Sequence, residues 1–363
     1  MITISTKQVH YNIDEINKTN ANYFLIYGEK SNGKSYQVKH KEAVEHYLAT
    51  KMRFVLLRRW KEDISNLWIE QYFSDIDVEK LTKGKYNCVS CYRKVLYLSN
   101  YNVDNAKMVR GEKIGYVMAL STEQHYSGGS FLDVDRIIFE EFMERGSYLP
   151  NEADKLMILY STIDRKRGTT KLYMVGNSIS RVCPYIPAWG LEKLFSQMKQ
   201  GDIVTKTIHN EENDVVIAIE YCRASGGKQM TIGNASQMVD KGSWQTYPQP
   251  KLPHSYKEYN VLFRFGFQYK TFKFICEYLI NRNTNENTVW FIYPFYKEFY
   301  KKIIVFSDVI KESKYWQRDI YNISIKNDRL RNLFMTFKEN RIFYASDMCG
   351  TDFKQVIDFL IRR

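Results

Sequence analysis

The sequence predicts an α/β fold, a mostly parallel sheet with helices on both faces, followed by a smaller α+β domain. Three observations carry this. An apolar, aromatic-rich run, Tyr23-Phe24-Leu25-Ile26-Tyr27, feeds a loop that fits G-x-x-x-x-G-K-[ST] at every fixed position, and a helical pattern follows it. Further along, a second apolar run, Ile137-Ile138-Phe139, ends in two adjacent carboxylates, Glu140 and Glu141. Beyond residue 250 the pattern changes to aromatic alternation of strand type, and most of the net charge of +12 falls there.

The loop itself is Gly28-Glu29-Lys30-Ser31-Asn32-Gly33-Lys34-Ser35. Gly28 and Gly33 lack a Cβ, so the backbone can bring its N–H groups up against phosphate oxygens. Lys34 supplies a point charge between β- and γ-phosphates, and the Ser35 hydroxyl can ligate Mg²⁺. Residues 36–52 read as the helix whose positive end faces the phosphates. Strand, loop and helix in this order predict a P-loop NTPase domain.

Next in order, Phe54-Val55-Leu56-Leu57 reads as a buried parallel strand that delivers Arg58, Arg59 and Lys61 to its C-terminal edge. These three are candidates for phosphate sensing or DNA contact, or else an ordinary charged strand end. A helix over 61–73, a hairpin over 86–99 and a strand over 114–120 follow. The strand over 134–142 has the layout of a Walker B segment. Its first acid, Glu140, would orient the metal shell, and the second, Glu141, would polarise an attacking water. A helix over 156–167 ends in the basic cluster Arg165-Lys166-Arg167, a source of an arginine finger for a neighbouring subunit's nucleotide or simply a favourable charge at a helix C-terminus. The strand 171–177 ends in Asn177, which suits a sensor that hydrogen-bonds the attacking water, or a turn residue in Gly176-Asn177-Ser178. A last strand spans 215–221.

Residues 223–250, with paired glycines and Pro248 and Pro250, read as a linker holding a short helix, which places the ATPase-type domain at 1–222 and the C-terminal domain at 251–363. In the latter, residues 260–279 alternate as two strands with a turn near Lys270; strands at 289–293 and 303–306 and helices at 328–339 and 351–361 complete it.

The 363 residues suffice for two cores, and 44% hydrophobic content excludes a disordered chain. The basic balance points to a polyanionic partner, and the second domain is the candidate nucleic-acid face. Of six cysteines, Cys88 and Cys91 form a lone C-x-x-C with no second pair, so reduced structural thiols are expected, not a zinc site. No apolar h-region opens the chain and no run approaches a membrane span; a soluble, intracellular, non-secreted protein with no membrane partner is expected.

In order and spacing, these segments resemble the DNA-packaging ATPases of phi29-like tailed phages, relatives of large terminase subunits. The resemblance rests on Gly28 through Ser35, on Arg58-Arg59-Trp60-Lys61, on Ala119-Leu120-Ser121 and on Ile137-Ile138-Phe139-Glu140-Glu141-Phe142. It continues through Tyr148-Leu149-Pro150-Asn151-Glu152, Thr162-Ile163-Asp164-Arg165-Lys166-Arg167 and Gly176-Asn177. It implies an additional-strand, catalytic-Glu ATPase that uses ATP and Mg²⁺ and assembles as a ring, a pentamer, at the portal of a procapsid in the host cytoplasm. There it would translocate double-stranded DNA inward, with a structural packaging RNA as a further partner. Carried over, Lys34 and Ser35 bind phosphate and Mg²⁺, Glu140 takes the metal role, Glu141 is the base, Arg165 the trans-acting finger and Arg167 the fallback. Arg58, Arg59 or Lys61 would couple nucleotide state to the ring. The C-terminal domain would be an RNase H-like nuclease without its catalytic acids. Consistent with that, its first strand, 261–268, carries no Asp or Glu, and Asp308 and Asp347 stand alone. Departures are Glu140 where most such strands carry Asp, and a longer, more aromatic C-terminal domain. A helicase-type translocase, a small-molecule kinase and a DNA-binding module with a vestigial P-loop are the competing readings; the intact Walker elements and the paired acids count against the last two.

Overall fold

A computed structural model describes residues 11–144, 148–209, 213–225, 243–244, 246–270, 272–283, 288–297, 299, 303–308, 316–317, 335–336 and 341–361. The chain forms two compact units. The first comprises Met1–Glu144, Tyr148–Ile179 and Cys183–Trp244; the second comprises Arg145–Ser147, Ser180–Val182 and Gln245–Arg363.

The first unit is built on a nine-stranded sheet. Its strands are β1 (Tyr23–Gly28), β2 (Arg53–Arg58), β3 (Cys88–Tyr92), β4 (Val95–Asn102), β5 (Lys107–Ala119), β6 (Val134–Glu140), β7 (Lys171–Asn177), β8 (Ile203–His209) and β9 (Asp214–Tyr221), in spatial order β3-β4-β5-β2-β6-β7-β1-β9-β8. The six from β5 to β9 run parallel, while β3, β4 and β8 are antiparallel additions at the two edges. Central parallel strands are covered on both faces, which is why β1 reads as an unbroken apolar run: all six of its residues are buried. The strand β7 lies between β1 and β6, the inserted position that the additional-strand class requires.

Helices follow the strands. After β1 a single helical stretch runs through Lys34–Gln37, the π-helical Val38–Glu45 and His46–Thr50, together α1. The helix expected over 61–73 is instead a 3₁₀ turn, Lys61–Asp63, and an α-helix, Asn66–Phe73 (α2), because the Ser65 hydroxyl caps it by accepting from the Trp68 N–H. The helix expected over 156–167 is Glu152–Asp164 (α3), closed by Arg165 and Lys166 in left-handed conformations. β5 is twice its expected length because its first half pairs with β4 as an exposed hairpin. β8 has no counterpart in the sequence reading.

The second unit holds β10 (Tyr259–Tyr269), β11 (Phe272–Asn281), β12 (Val289–Pro294), β13 (Val305–Ser307), β14 (Trp316–Gln317), β15 (Ile342–Tyr344) and the helix α4 (Asp347–Ile361). Its sheet order is β14-β13-β10-β11-β12-β15, with β11 antiparallel to both neighbours and β13 and β14 parallel to β10. Counted within the unit this is 3-2-1-4-5 plus an edge strand, as expected for an RNase H-like fold. Phe265, Phe267, Phe274, Trp290 and Ile292 form its core with Phe353, Val356 and Ile357 of α4. Most of the helix expected over 328–339, of which 335–336 are described and helical, and most of the stretch read as a linker lie outside the described residues. The flanks of that stretch are packed: Trp244 stacks on Tyr27 at 5.4 Å, and the Pro250 carbonyl accepts from the Tyr344 N–H at 2.9 Å. No helix among the described residues is long and apolar enough to cross a membrane.

Arg59 is not at a phosphate-contacting surface. It is 3% exposed and clamps the segment after β6. Its Nε donates to both Glu152 oxygens at 3.0 and 2.9 Å, its Nη1 to Glu144 at 2.8 Å and the Glu141 carbonyl at 3.1 Å, and its Nη2 to the Phe142 carbonyl at 2.8 Å. Glu152, also fully buried, accepts in addition from the Tyr185 hydroxyl at 2.6 Å and the Leu149 N–H at 2.8 Å. A nucleotide-sensing role for Arg59 is therefore corrected to a structural one: every nitrogen of its guanidinium is already committed. Arg59→Ala would strand the Glu152 carboxylate without its counter-charge, and a loss of about 3–5 kcal/mol is expected, read by denaturant unfolding; a wild-type midpoint would contradict the clamp.

Candidate nucleotide site

Because β1, β2, β6 and β7 are parallel, their C-terminal ends lie at one edge of the sheet. Register sets Gly28 opposite Asn177 and Glu140 opposite Val175. The P-loop, Glu140, Glu141 and Asn177 therefore converge on one cleft of ≈ 380 Å³, to which Lys30, Ser31, Asn32, Gly33, Lys34 and Ser35 contribute from the loop.

Two glycines are needed where they stand. Gly33 has φ +96°, which side chains rarely adopt, and a Cβ on Gly28 would lie 3.1 Å from the Cys222 Cβ and carbonyl oxygen. The Lys34 ammonium, buried in the cleft, donates to the Glu29 carbonyl, to Asn32 Oδ1 at 3.1 Å and to Asn177 Oδ1 at 3.5 Å. Burial pushes its pKa down, opposed by the nearby Cys222, Glu140 and Glu29. The Glu29 side chain turns away from the cleft to accept from the backbone and hydroxyl of Ser225, so it ties down the loop and does not face a ligand.

The two acids differ in environment. Glu140 is buried; its Oε2 accepts from Ser35 Oγ at 2.9 Å and its Oε1 from the Tyr72 hydroxyl at 2.7 Å. Burial raises its pKa, and the two hydroxyl donors oppose the rise. Glu141 has a side chain 60% exposed and lines the cleft, with Arg58 Nη2 at 3.5 Å. Its φ of +58° is left-handed, an uncommon conformation for a non-glycine residue and one that costs about 1–2 kcal/mol. Arg58 lies over the Trp68 ring at 4.9 Å, so α2 helps to aim it. As donors, Ser35 Oγ and the Glu140 carboxylate are a hard oxygen pair, and this chemistry fits Mg²⁺.

The remaining predicted residues lie elsewhere. Arg59 is in the clamp and Lys61 is exposed outside the cleft lining. Arg165 and Arg167 follow α3 and precede β7, which puts them at the opposite edge of the sheet, a strand's length or about 20 Å from the cleft of their own chain. Arg165 is exposed, with one bond, from Nη2 to the Gly129 carbonyl at 2.5 Å. Arg167 is spent on four carbonyls, those of Asp164, Leu132, Val134 and Ile163, and so fastens the end of α3 to the start of β6.

The cleft contains groups that the sequence reading missed. Lys39 and Asp75 line it and pair at 2.5 Å, and Tyr72 reaches Glu140 from α2. Lys39 stands four residues after Ser35 on the same helix, so its spacing was a usable signal; nothing in the sequence marks Tyr72 or Asp75.

The profile of the Podovirus DNA encapsidation protein (Gp16) family matches residues 5–200. The DNA packaging protein of Bacillus phage B103 is 27% identical over 175 residues, 46% of this chain and 47% of that protein. The DNA packaging protein of Bacillus phage phi29 is 24% identical over 187 residues, 49% of each. The chain thus spans about half the length of the curated relatives it matches. Among solved structures, a chain of the bacteriophage Phi-29 viral genome packaging motor assembly superposes with a TM-score of 0.58 at 17% identity, over 97% of this chain and 99% of that one, a likeness in fold. The P-loop, β6 and β7 all fall inside the matched residues, and the chain belongs to the Podovirus DNA encapsidation protein (Gp16) family.

Proposed function

We propose that this chain hydrolyses ATP to drive double-stranded viral DNA into a procapsid, as one subunit of a ring. The observation that carries the reading is the division of labour at the cleft: Lys34 and Asn177 on the phosphate side, a buried Glu140 tied to Ser35, and an exposed Glu141 beside them. Ser35 and Glu140 would hold Mg²⁺, whose chemistry there would be to offset charge on the phosphate oxygens. Glu140 is fixed by two hydroxyls and suits a ligand, whereas Glu141 is free to take a proton from water, so environment assigns the two roles. Asn177 orients the water and the γ-phosphate.

The cleft lining, among the described residues, contains no arginine. A neighbouring subunit would supply one, and Arg165 suits this better than Arg167: it is exposed and gives up one hydrogen bond, not five. The basic second unit is proposed as the DNA-facing side, and the relatives' description as DNA packaging proteins supports viral DNA as the load. A procapsid portal and a structural RNA, met in the host cytoplasm, are proposed as further partners on the resemblance alone. Nuclease activity is not part of the reading, since β10 carries no Asp or Glu.

Duplex DNA is expected to stimulate ATP hydrolysis, with binding that weakens steeply as salt rises; stimulation by single strands alone would favour a helicase-type translocase. Glu141→Gln should retain ATP binding and lose roughly 10²–10⁴-fold in rate, measured by nucleotide binding beside steady-state turnover. Arg165→Ala should lose roughly 10³-fold or more and regain part of it in mixed assemblies with Glu141→Gln subunits, whose own fingers are intact. Arg167→Ala should instead lower thermal stability; full stability combined with lost hydrolysis would transfer the finger to Arg167.

A further inference from the structure

Glu140 presents a geometric problem at this site. A glutamate has one more rotatable bond than an aspartate, so a metal-holding carboxylate on the longer arm needs a second constraint to stay in one place. Ser35 supplies one anchor, to Oε2 at 2.9 Å. The other is the Tyr72 hydroxyl, 2.7 Å from Oε1.

Tyr72 is itself held. Lys39 donates to its carbonyl oxygen and lies 4.7 Å from its ring centroid, while the same ammonium pairs with Asp75 at 2.5 Å. The Tyr72 ring packs edge-on against Phe73 at 4.9 Å and beside Trp68 at 5.3 Å. Lys39 and Ser35 belong to the same helix, α1, so both anchors of Glu140 trace back to the element that follows the P-loop. A phenol O–H has one proton to donate, and here it is directed at the Glu140 carboxylate, which accepts it.

We propose that Tyr72 is a positioning residue for the metal site: its hydroxyl holds one oxygen of Glu140 so that the other is presented beside Ser35 to a divalent cation. This rests on the nucleotide-site reading above. It makes a specific demand of α2, whose end must stay docked on Lys39 for the acid to be aimed. Removing a partner that orients a metal ligand typically costs 10–100-fold in metal affinity.

The test is ADP binding by calorimetry, in EDTA and across a MgCl₂ titration, for the wild type, Tyr72→Phe, Glu140→Ala and the double variant. For the wild type, Mg²⁺ should tighten ADP binding. Tyr72→Phe, which deletes one oxygen and keeps the ring, should bind ADP in EDTA like the wild type and need about 10-fold or more Mg²⁺ for the same tightening. In the Glu140→Ala background the second substitution should change nothing, because the hydroxyl then has no acid to hold. An unchanged Mg²⁺ requirement in Tyr72→Phe overturns the proposal. So does a loss of ADP binding in EDTA, which would make the hydroxyl a support of the fold, and so does a further loss in the double variant. A wild type that binds no ADP at all would instead sink the nucleotide-site reading itself.

Discussion

The Arg59–Glu152 ion pair is the constraint on which the site depends. Two charges withdrawn from water repay their desolvation only with near-complete hydrogen bonding. Here that condition is met by Glu144, Tyr185, the Leu149 N–H and the carbonyls of Glu141 and Phe142. Two of those partners are the backbone that follows Glu140. The clamp therefore fixes the path of the chain as it leaves β6, and it is this path that holds Glu141 in a left-handed conformation with its carboxylate in the cleft. Strain at one residue persists because the surrounding bonds over-determine it.

From that turn the chemistry divides. One carboxylate faces inward, desolvated and held from both sides by hydroxyls; its neighbour in sequence points into the open cleft beside Arg58. Two chemically identical groups thus stand in different environments, one buried and held by two hydroxyls, the other exposed beside an arginine. The same sheet that gathers the P-loop, Glu140 and Asn177 at its C-terminal edge carries Arg165 at the other edge, so on one chain the acid half and the exposed arginine are kept apart by the length of a strand.

Much of the fold was legible because buried parallel strands leave plain marks. β1, β2, β6 and β7 appear as continuous apolar runs ending in polar residues, and the P-loop's fixed positions follow from the conformations its backbone adopts. The misses share a cause, which is that side-chain direction and edge exposure are set by tertiary context. Arg58 and Arg59 are adjacent and chemically alike, yet neighbouring residues at a strand's end point to opposite faces; one reaches Glu141 and the other is sealed under Tyr148. β8 was missed because an edge strand of Ile, Val, Thr and Lys, half exposed, gives weak alternation. The end of α3 was misplaced because Arg165 and Lys166 take the left-handed conformation without the glycine that usually announces it. Tyr72 was invisible: its role depends on where α2 docks, and a short helix with Trp and Tyr on one side reads only as packing.

In the proposed function the cleft is one half of a site completed by a second copy of the chain. The most direct measurement is ATP turnover per chain as a function of protein concentration, with assembly state followed in the same samples by light scattering. Turnover per chain should be negligible while the protein is monomeric and should rise together with association. Turnover per chain that stays constant down to dilutions where only monomer is present would contradict that proposal.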